Sequence, residues 1–151
     1  MNNGNVVHKR KLWKFFIPAI VWSVTIFITS SIPGYALPDI SIWSWDKWVH
    51  VSVFGLLAFL AIIGFEAAAS YYNRTKYWVI VWVISICILY AATDEWHQWY
   101  VPNRSCEWLD FWADTIGITI VGVSYGLNLP PFGKIRKFIY ARIEPLKRTA
   151  F

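Results

Sequence analysis

The sequence predicts an all-α integral membrane protein, a bundle of four transmembrane helices with both termini cytoplasmic. Three observations carry this. First, the 151 residues are 57% hydrophobic, with a mean hydropathy of +0.42. That exceeds the apolar share of an ordinary soluble domain, and so small a domain cannot bury every segment. Second, four apolar segments approach the ~20 residues needed to cross a bilayer. None alternates with the period of a barrel strand, so helices remain. Third, of 14 Lys and Arg residues, all but Lys47 and Arg104 fall at one side of such a bundle, the side that stays in the cytoplasm.

Residues 1–14 read as a basic cytoplasmic N-terminus and 15–127 as the membrane domain. The first span is Phe15 to Ser31, with Pro18 in its first turn, where a missing N–H costs nothing. Lys9, Arg10, Lys11 and Lys14 precede it as they would a signal peptide. Its apolar core is longer than a usual signal core and Ser-Ser-Ile-Pro-Gly is a poor cleavage site, so a retained span is expected. The second span runs from Trp48 to Ala69, the third from Tyr77 to Thr93 and the fourth from Trp108 to Leu127. Residues 128–151 form a basic cytoplasmic tail. There Ile135, Phe138, Ile139 and Ile143 mark one face of a short helix suited to anionic lipid, with a loose solvated tail as the alternative.

The acids sort opposite to the bases. Asp39, Asp46, Asp94, Glu95, Glu107, Asp110 and Asp114 fall on the outer side, and only Glu66 and Glu144 on the inner. The net charge of +5 is therefore a topology signal, and nucleic acid is not an expected partner. Trp43, Trp45, Trp48, Trp96, Trp99, Trp108 and Trp112 crowd the outer level as an interfacial belt, and Trp78 and Trp82 mark the inner one. The two cysteines, Cys87 and Cys106, form no redox or zinc spacing. No nucleotide-binding, zinc-protease or nucleophile-elbow motif is present. Asn73-Arg74-Thr75 is a formal glycosylation sequon, discarded because it falls on the cytoplasmic side. Gly122 and Gly126 give a weak helix-packing signal.

One outer stretch, DEWHQWYVPNRSCEWLDFWAD, gathers unusual charge. Asp46, Lys47 and His50 stand at i, i+1 and i+4, and Asp94, Glu95 and Gln98 repeat that spacing. Each trio occupies one arc of a helix, and Asp110 and Asp114 share another, continued by Gly117. The three arcs are expected to converge at the outer mouth of the bundle, with Trp96 turned to lipid. Some of this charge has a purely structural reading. Asp46 and Asp110 lie near helix starts, where acids complement the dipole by ~0.3–1 kcal/mol, and Ser44 and Ser105 are candidate caps. Asp94 and Glu95 lie at a helix C-terminal end, which disfavours anions. A charge also costs ~2.5–3.5 kcal/mol at mid-bilayer. They need compensation from Lys47, Arg104, a protonated His, a cation or a proton.

Candidate catalytic groups are His50, Asp46, Asp94 and Glu95, with His50 best placed to transfer protons because Asp46 lies one turn away. Lys47, Gln98, Arg104, Asp110 and Asp114 are candidate ligand-binding groups. Arg104, after the turn pair Pro102-Asn103, either closes the bundle against carboxylates or grips a phosphate or carboxylate head group. His97 lies off the Asp94 arc and is expected at the surface. Asp94, Glu95, His50 and Asp114 hold atoms a divalent metal takes, but no recognised ligand spacing supports one, and no metal or cofactor is assigned.

The motifs SSIPG, DKWVH and DEWHQWYVPNRSCEWLDFWADTIG, over roughly residues 28–126, resemble the VanZ-like membrane proteins, a family named after a teicoplanin-resistance protein. By that resemblance the motif positions are Asp46, Lys47, His50, Asp94, Glu95, Gln98, Arg104 and Asp110. Asp114 departs from the pattern, where Asn is more usual, and Asn103 stands where Gly is commoner. The resemblance implies a multi-pass protein of the bacterial cytoplasmic membrane with a link to glycopeptide resistance. The leading expectation is an outer-face pocket that binds or processes an anionic lipid-linked or cell-wall-precursor head group, with membrane lipid as its partner. A non-catalytic binding module, a structural polar network and a small proton-coupled transporter are the alternatives. The transporter is disfavoured because four short spans show no inverted repeat.

Overall fold

The computed structural model describes residues 12–36 and 43–148, with only the backbone described at 43–45, 147 and 148. Lys9, Arg10, Lys11 and Asp39 lie outside the described residues, as do the side chains of Trp43, Ser44, Trp45, Lys147 and Arg148. The described residues form helices and connecting turns. A short 3-10 turn, Trp13–Phe16, leads into α1 (Ile17–Ser30), followed by α2 (Trp43–Tyr71), α3 (Lys76–Gln98), α4 (Trp108–Gly126) and α5 (Phe132–Arg148).

Local chemistry sets the ends of these helices. Pro18 sits at the start of α1, where its ring fits. The Ser31 hydroxyl donates to the Phe27 carbonyl at 2.6 Å, and Pro33 follows too soon for the helix to continue. Thr75 caps α3, accepting from the Trp78 N–H at 3.4 Å. Asn73, Asn103 and Asn128 adopt positive φ, 55°, 55° and 54°. Asn tolerates this left-handed backbone better than most side chains. Asn73 and Asn128 each lie just past a helix end. Ser105 does not cap α4 as expected. Glu107 takes the cap position without a side-chain bond to it, and the Ser105 hydroxyl donates to Glu107 Oε1 instead.

The chain runs up and down. Leu12 packs with Ala67, Ile139 and Ile143 at one end, where Lys76 also donates to the Gly126 carbonyl at 2.9 Å. At the other end Ser30 meets Asp94 and Lys47 meets Asp110. The long helix α2 is the hub and touches every other helix. Phe54, Ala58, Ile62, Val83 and Ile118 fill the centre. Helices α2 and α4 cross closely at Gly117. A β-carbon on Gly117 would overlap the Val51 carbonyl, and the Gly55 nitrogen lies 3.1 Å from that point. The Gly122 and Gly126 pair instead faces the side chains of Ile84 and Ile80.

Ile20, Val24, Ile28, Val81, Leu89 and Ile120 are exposed, an outer surface suited to hydrocarbon. Three helical stretches, Trp13–Ser30, Asp46–Tyr71 and Lys76–Gln98, are long and apolar enough to cross a membrane. Asp110 and Asp114 make α4 the more polar partner. The tail differs from the expected lipid-facing helix. Ile139 and Ile143 are buried against the bundle with Ile135 beside them, and only Phe138 of that set is exposed. The Ile139 and Ile143 face of α5 is covered by protein.

Candidate functional site

The end of the bundle where Ser30 meets Asp94 is built on the first turns of α2. Lys47 Nζ donates to Asp46 Oδ2 and Glu107 Oε2, both at 3.1 Å, and to Asp110 Oδ1. One turn later His50 Nδ1 lies 3.0 Å from Asp114 Oδ1. Its Nε2 lies 3.8 Å from Asp110 Oδ2 and 3.9 Å from Asp46 Oδ1. That is too far for a direct bond but within reach through one water. The Asp46-Lys47-His50 arc therefore faces the Asp110-Asp114 arc, as the helical spacing predicts.

The third arc divides. Glu95 joins the cluster. One oxygen or nitrogen from each of His50, Glu95 and Asp114 lies within 4.8 Å of the others. Glu95 Oε2 accepts the Glu107 backbone N–H at 3.1 Å. Asp94 turns the other way, accepting from the Ser30 hydroxyl at 2.7 Å and from Gln98 Nε2 at 3.1 Å. Adjacent helical residues point ~100° apart, so the two acids serve different neighbours. Asp94 and Gln98 thus brace α3 against α1 and do not line the Lys47–His50 space. His97, expected at the surface, is half-buried. It stacks on Phe27 with ring centroids 4.7 Å apart and meets the Ser31 hydroxyl at 3.0 Å.

Arg104 makes no ion pair among the described residues, and its Nε is buried with no acceptor. Compensation of Asp94 and Glu95 by Arg104 is thus not what the described residues display, and Lys47 pairs instead with Asp46, Glu107 and Asp110. Glu107 is the site residue that sequence reasoning missed, read there only as one more outer acid. Its contact with Lys47, then that with Ser105, holds its carboxyl below the usual range. Cys106 beside it has its thiol pushed up, by lost water and then by Glu95.

Between α3 and α4 an apolar groove of about 220 Å³ is lined by Ala92, Trp96, Trp99, Trp108 and Phe111, with Glu95, Cys106 and Glu107 at its polar end. Trp48, Trp96, Trp99, Trp108 and Trp112 are exposed at this level, Trp96 turned outward as its arc predicts. At the opposite end Glu66, only 4% exposed, accepts from the Tyr125 hydroxyl and pairs with Arg136 Nε at 3.2 Å. A lone acid inside an apolar run was the signal for that second cluster.

Neither the curated proteins nor the solved structures returned a match to this chain. The family model VanZ/LLP1 matches residues 5–129, which covers the Lys47–His50 cluster and helices α1–α4. With three apolar helices of membrane-crossing length, the chain is a VanZ-like membrane protein and belongs to the VanZ/LLP1 family.

Proposed function

We propose that the outer end binds an anionic lipid-linked head group, with the lipid chain in the aromatic groove and the head group at the polar cluster. One observation carries this reading. Glu95 belongs to both places, lining the groove and standing with His50 and Asp114 in the cluster. A site apolar along one wall and polar at one end suits an amphipathic ligand. Lys47 is held by three carboxylates, so Arg104, whose Nε lacks an acceptor, is the cation this end offers to a phosphate or carboxylate.

In this reading all four helices α1–α4 cross the bacterial cytoplasmic membrane, both termini are cytoplasmic and the site faces outward. Glycopeptide resistance is the physiological setting proposed, through a cell-wall-precursor ligand. His50, with Asp114 on one ring nitrogen, is the group placed to move a proton if the ligand is also processed.

The test uses a polyisoprenyl phosphate in phosphatidylcholine nanodiscs holding the full chain. Its brominated form should quench the groove tryptophans saturably. Ala92→Phe fills the groove and should abolish quenching. Arg104→Ala should weaken binding about tenfold or more, the size of a lost charged hydrogen bond. Equal quenching by the uncharged polyisoprenol would refute head-group recognition. Turnover lost in His50→Ala with binding kept would separate an enzyme from a binding module.

A further inference from the structure

Glu95 and Asp114 are the most buried acids of the outer end, 4% and 0% exposed. Each has one oxygen engaged, Glu95 Oε2 by the Glu107 N–H and Asp114 Oδ1 by His50. The second oxygen of each, Glu95 Oε1 and Asp114 Oδ2, is buried and has no donor among the described residues. A buried acceptor left unpaired is costly, and more so when charged. Neither nearby cation meets the need. Lys47 is spent on Asp46, Glu107 and Asp110, and Arg104 pairs with no described acid. A second grouping, Asp46, His50 and Asp110, also has metal-like spacing, but the Lys47 ammonium already neutralises two of its members.

We propose that His50, Glu95 and Asp114 bind a divalent first-row transition cation. One imidazole with carboxylates is a donor set that Zn²⁺ and Co²⁺ accept, whereas Mg²⁺ and Ca²⁺ ask for oxygen alone. Donor atoms sharing a tetrahedral ion at about 2.0–2.2 Å stand ~3.3–3.6 Å apart. His50 Nδ1 and Asp114 Oδ1 are already 3.0 Å apart, and all three candidate atoms lie within 4.8 Å of one another, so closing on an ion draws the widest pair together by about 1–1.5 Å at most. With Nδ1 on the ion, Nε2 points its proton toward Asp110 and Asp46 at 3.8 and 3.9 Å. A carboxylate behind a ligating histidine is the usual way to fix its ring. A dication here also offsets the excess of acids that would repel an anionic head group, but the ion's presence does not depend on that ligand.

The test is metal binding by the full chain in detergent, without lipid. The protein is stripped with a chelator and titrated with Co²⁺. The expected result is one Co²⁺ per chain, visible absorption that Zn²⁺ removes, and a paramagnetically shifted imidazole N–H proton. Glu95→Gln and Asp114→Asn should each weaken binding more than ~10-fold, since even outer-shell partners are worth that much. Asp94→Asn, tied to Ser30 and Gln98, should bind as the wild type does. No shifted imidazole proton in the wild type, or equal loss in Asp94→Asn, would overturn the proposal. So would an infrared band of a protonated Glu95 carboxyl that persists in saturating Co²⁺, which assigns a proton as the neutralising species. The imidazole signal is read on the wild type, so the answer does not depend on a variant folding.

Discussion

At the scale of single residues, Lys47 is the cation that lets α2 and α4 meet. Its partner Asp110 is 6% exposed, so removing the ammonium strands a buried charge. Lys47→Met is expected to cost about 3 kcal/mol, the low end for a broken buried pair, because Asp46 and Glu107 are half in the open. Lys47→Arg should recover most of it. Unchanged melting of Lys47→Met in detergent would assign the acids' compensation elsewhere. Glu107 gives a pH signature with a definite sign. Its carboxyl is held below the ordinary value by Lys47 and Ser105. Its stabilisation is therefore complete above the unfolded value, about 4.3, and disappears as pH falls through the lower folded value. Melting of the wild type and Glu107→Gln should differ at neutral pH and converge in acid. A gap that widens in acid would contradict the pairing. The sequence made Glu95 and Asp94 members of one arc. It did not reveal that the 100° between them sends one to the cluster and the other to Ser30, because Ser30 lies 64 positions away.

At the scale of elements, helix packing decides whether the arcs meet. Gly117 lets α4 approach the backbone of α2, and the obstacle a side chain would meet is the Val51 carbonyl, which cannot rotate away. Gly117→Ala should cost about 1–3 kcal/mol as overpacking and spread His50 from Asp114. Gly133, near the start of α5, has open space where a β-carbon would stand, with nothing within 4 Å. Gly133→Ala should be neutral or stabilise by up to about 0.5–1 kcal/mol. Thermal melts of both variants check this, and equal effects would show that the crossing is not tight. The three apolar helices of membrane-crossing length were legible because length and hydropathy are local properties. The Gly55–Gly117 approach was not, since it joins residues on two helices, while the visible Gly122–Gly126 pair faces flexible side chains. The apolar face of α5 was likewise visible in sequence, but its partner was not. Periodicity shows that a face must be covered and does not say whether lipid or protein covers it.

At the scale of the whole molecule, charge is sorted by end. Lys14, Arg74, Lys76 and Arg136 belong to the end where Leu12 meets α5, and Asp46, Asp94, Glu95, Glu107, Asp110 and Asp114 to the other. This sorting was legible because the basic count needs only the order of spans. The proposed orientation sets the acidic end outside, and the chain carries its own reporter there. Cys106 is exposed and Cys87 is buried, so a membrane-impermeant maleimide added to intact cells should label the wild type at Cys106 alone. Labelling should be slow at neutral pH, because lost water and Glu95 raise the thiol's pKa and the thiolate is the reacting form. It should quicken as pH rises. With Cys106→Ala as background, Asn103→Cys at the same end should label from outside, whereas Asn73→Cys, in the turn between α2 and α3, should react only after the cells are opened. Labelling of Asn73→Cys but not Cys106 in intact cells would invert the molecule. The acidic cluster would then face the cytoplasm, and an external head group would no longer be a candidate ligand, while the metal proposal at His50, Glu95 and Asp114 would stand unchanged.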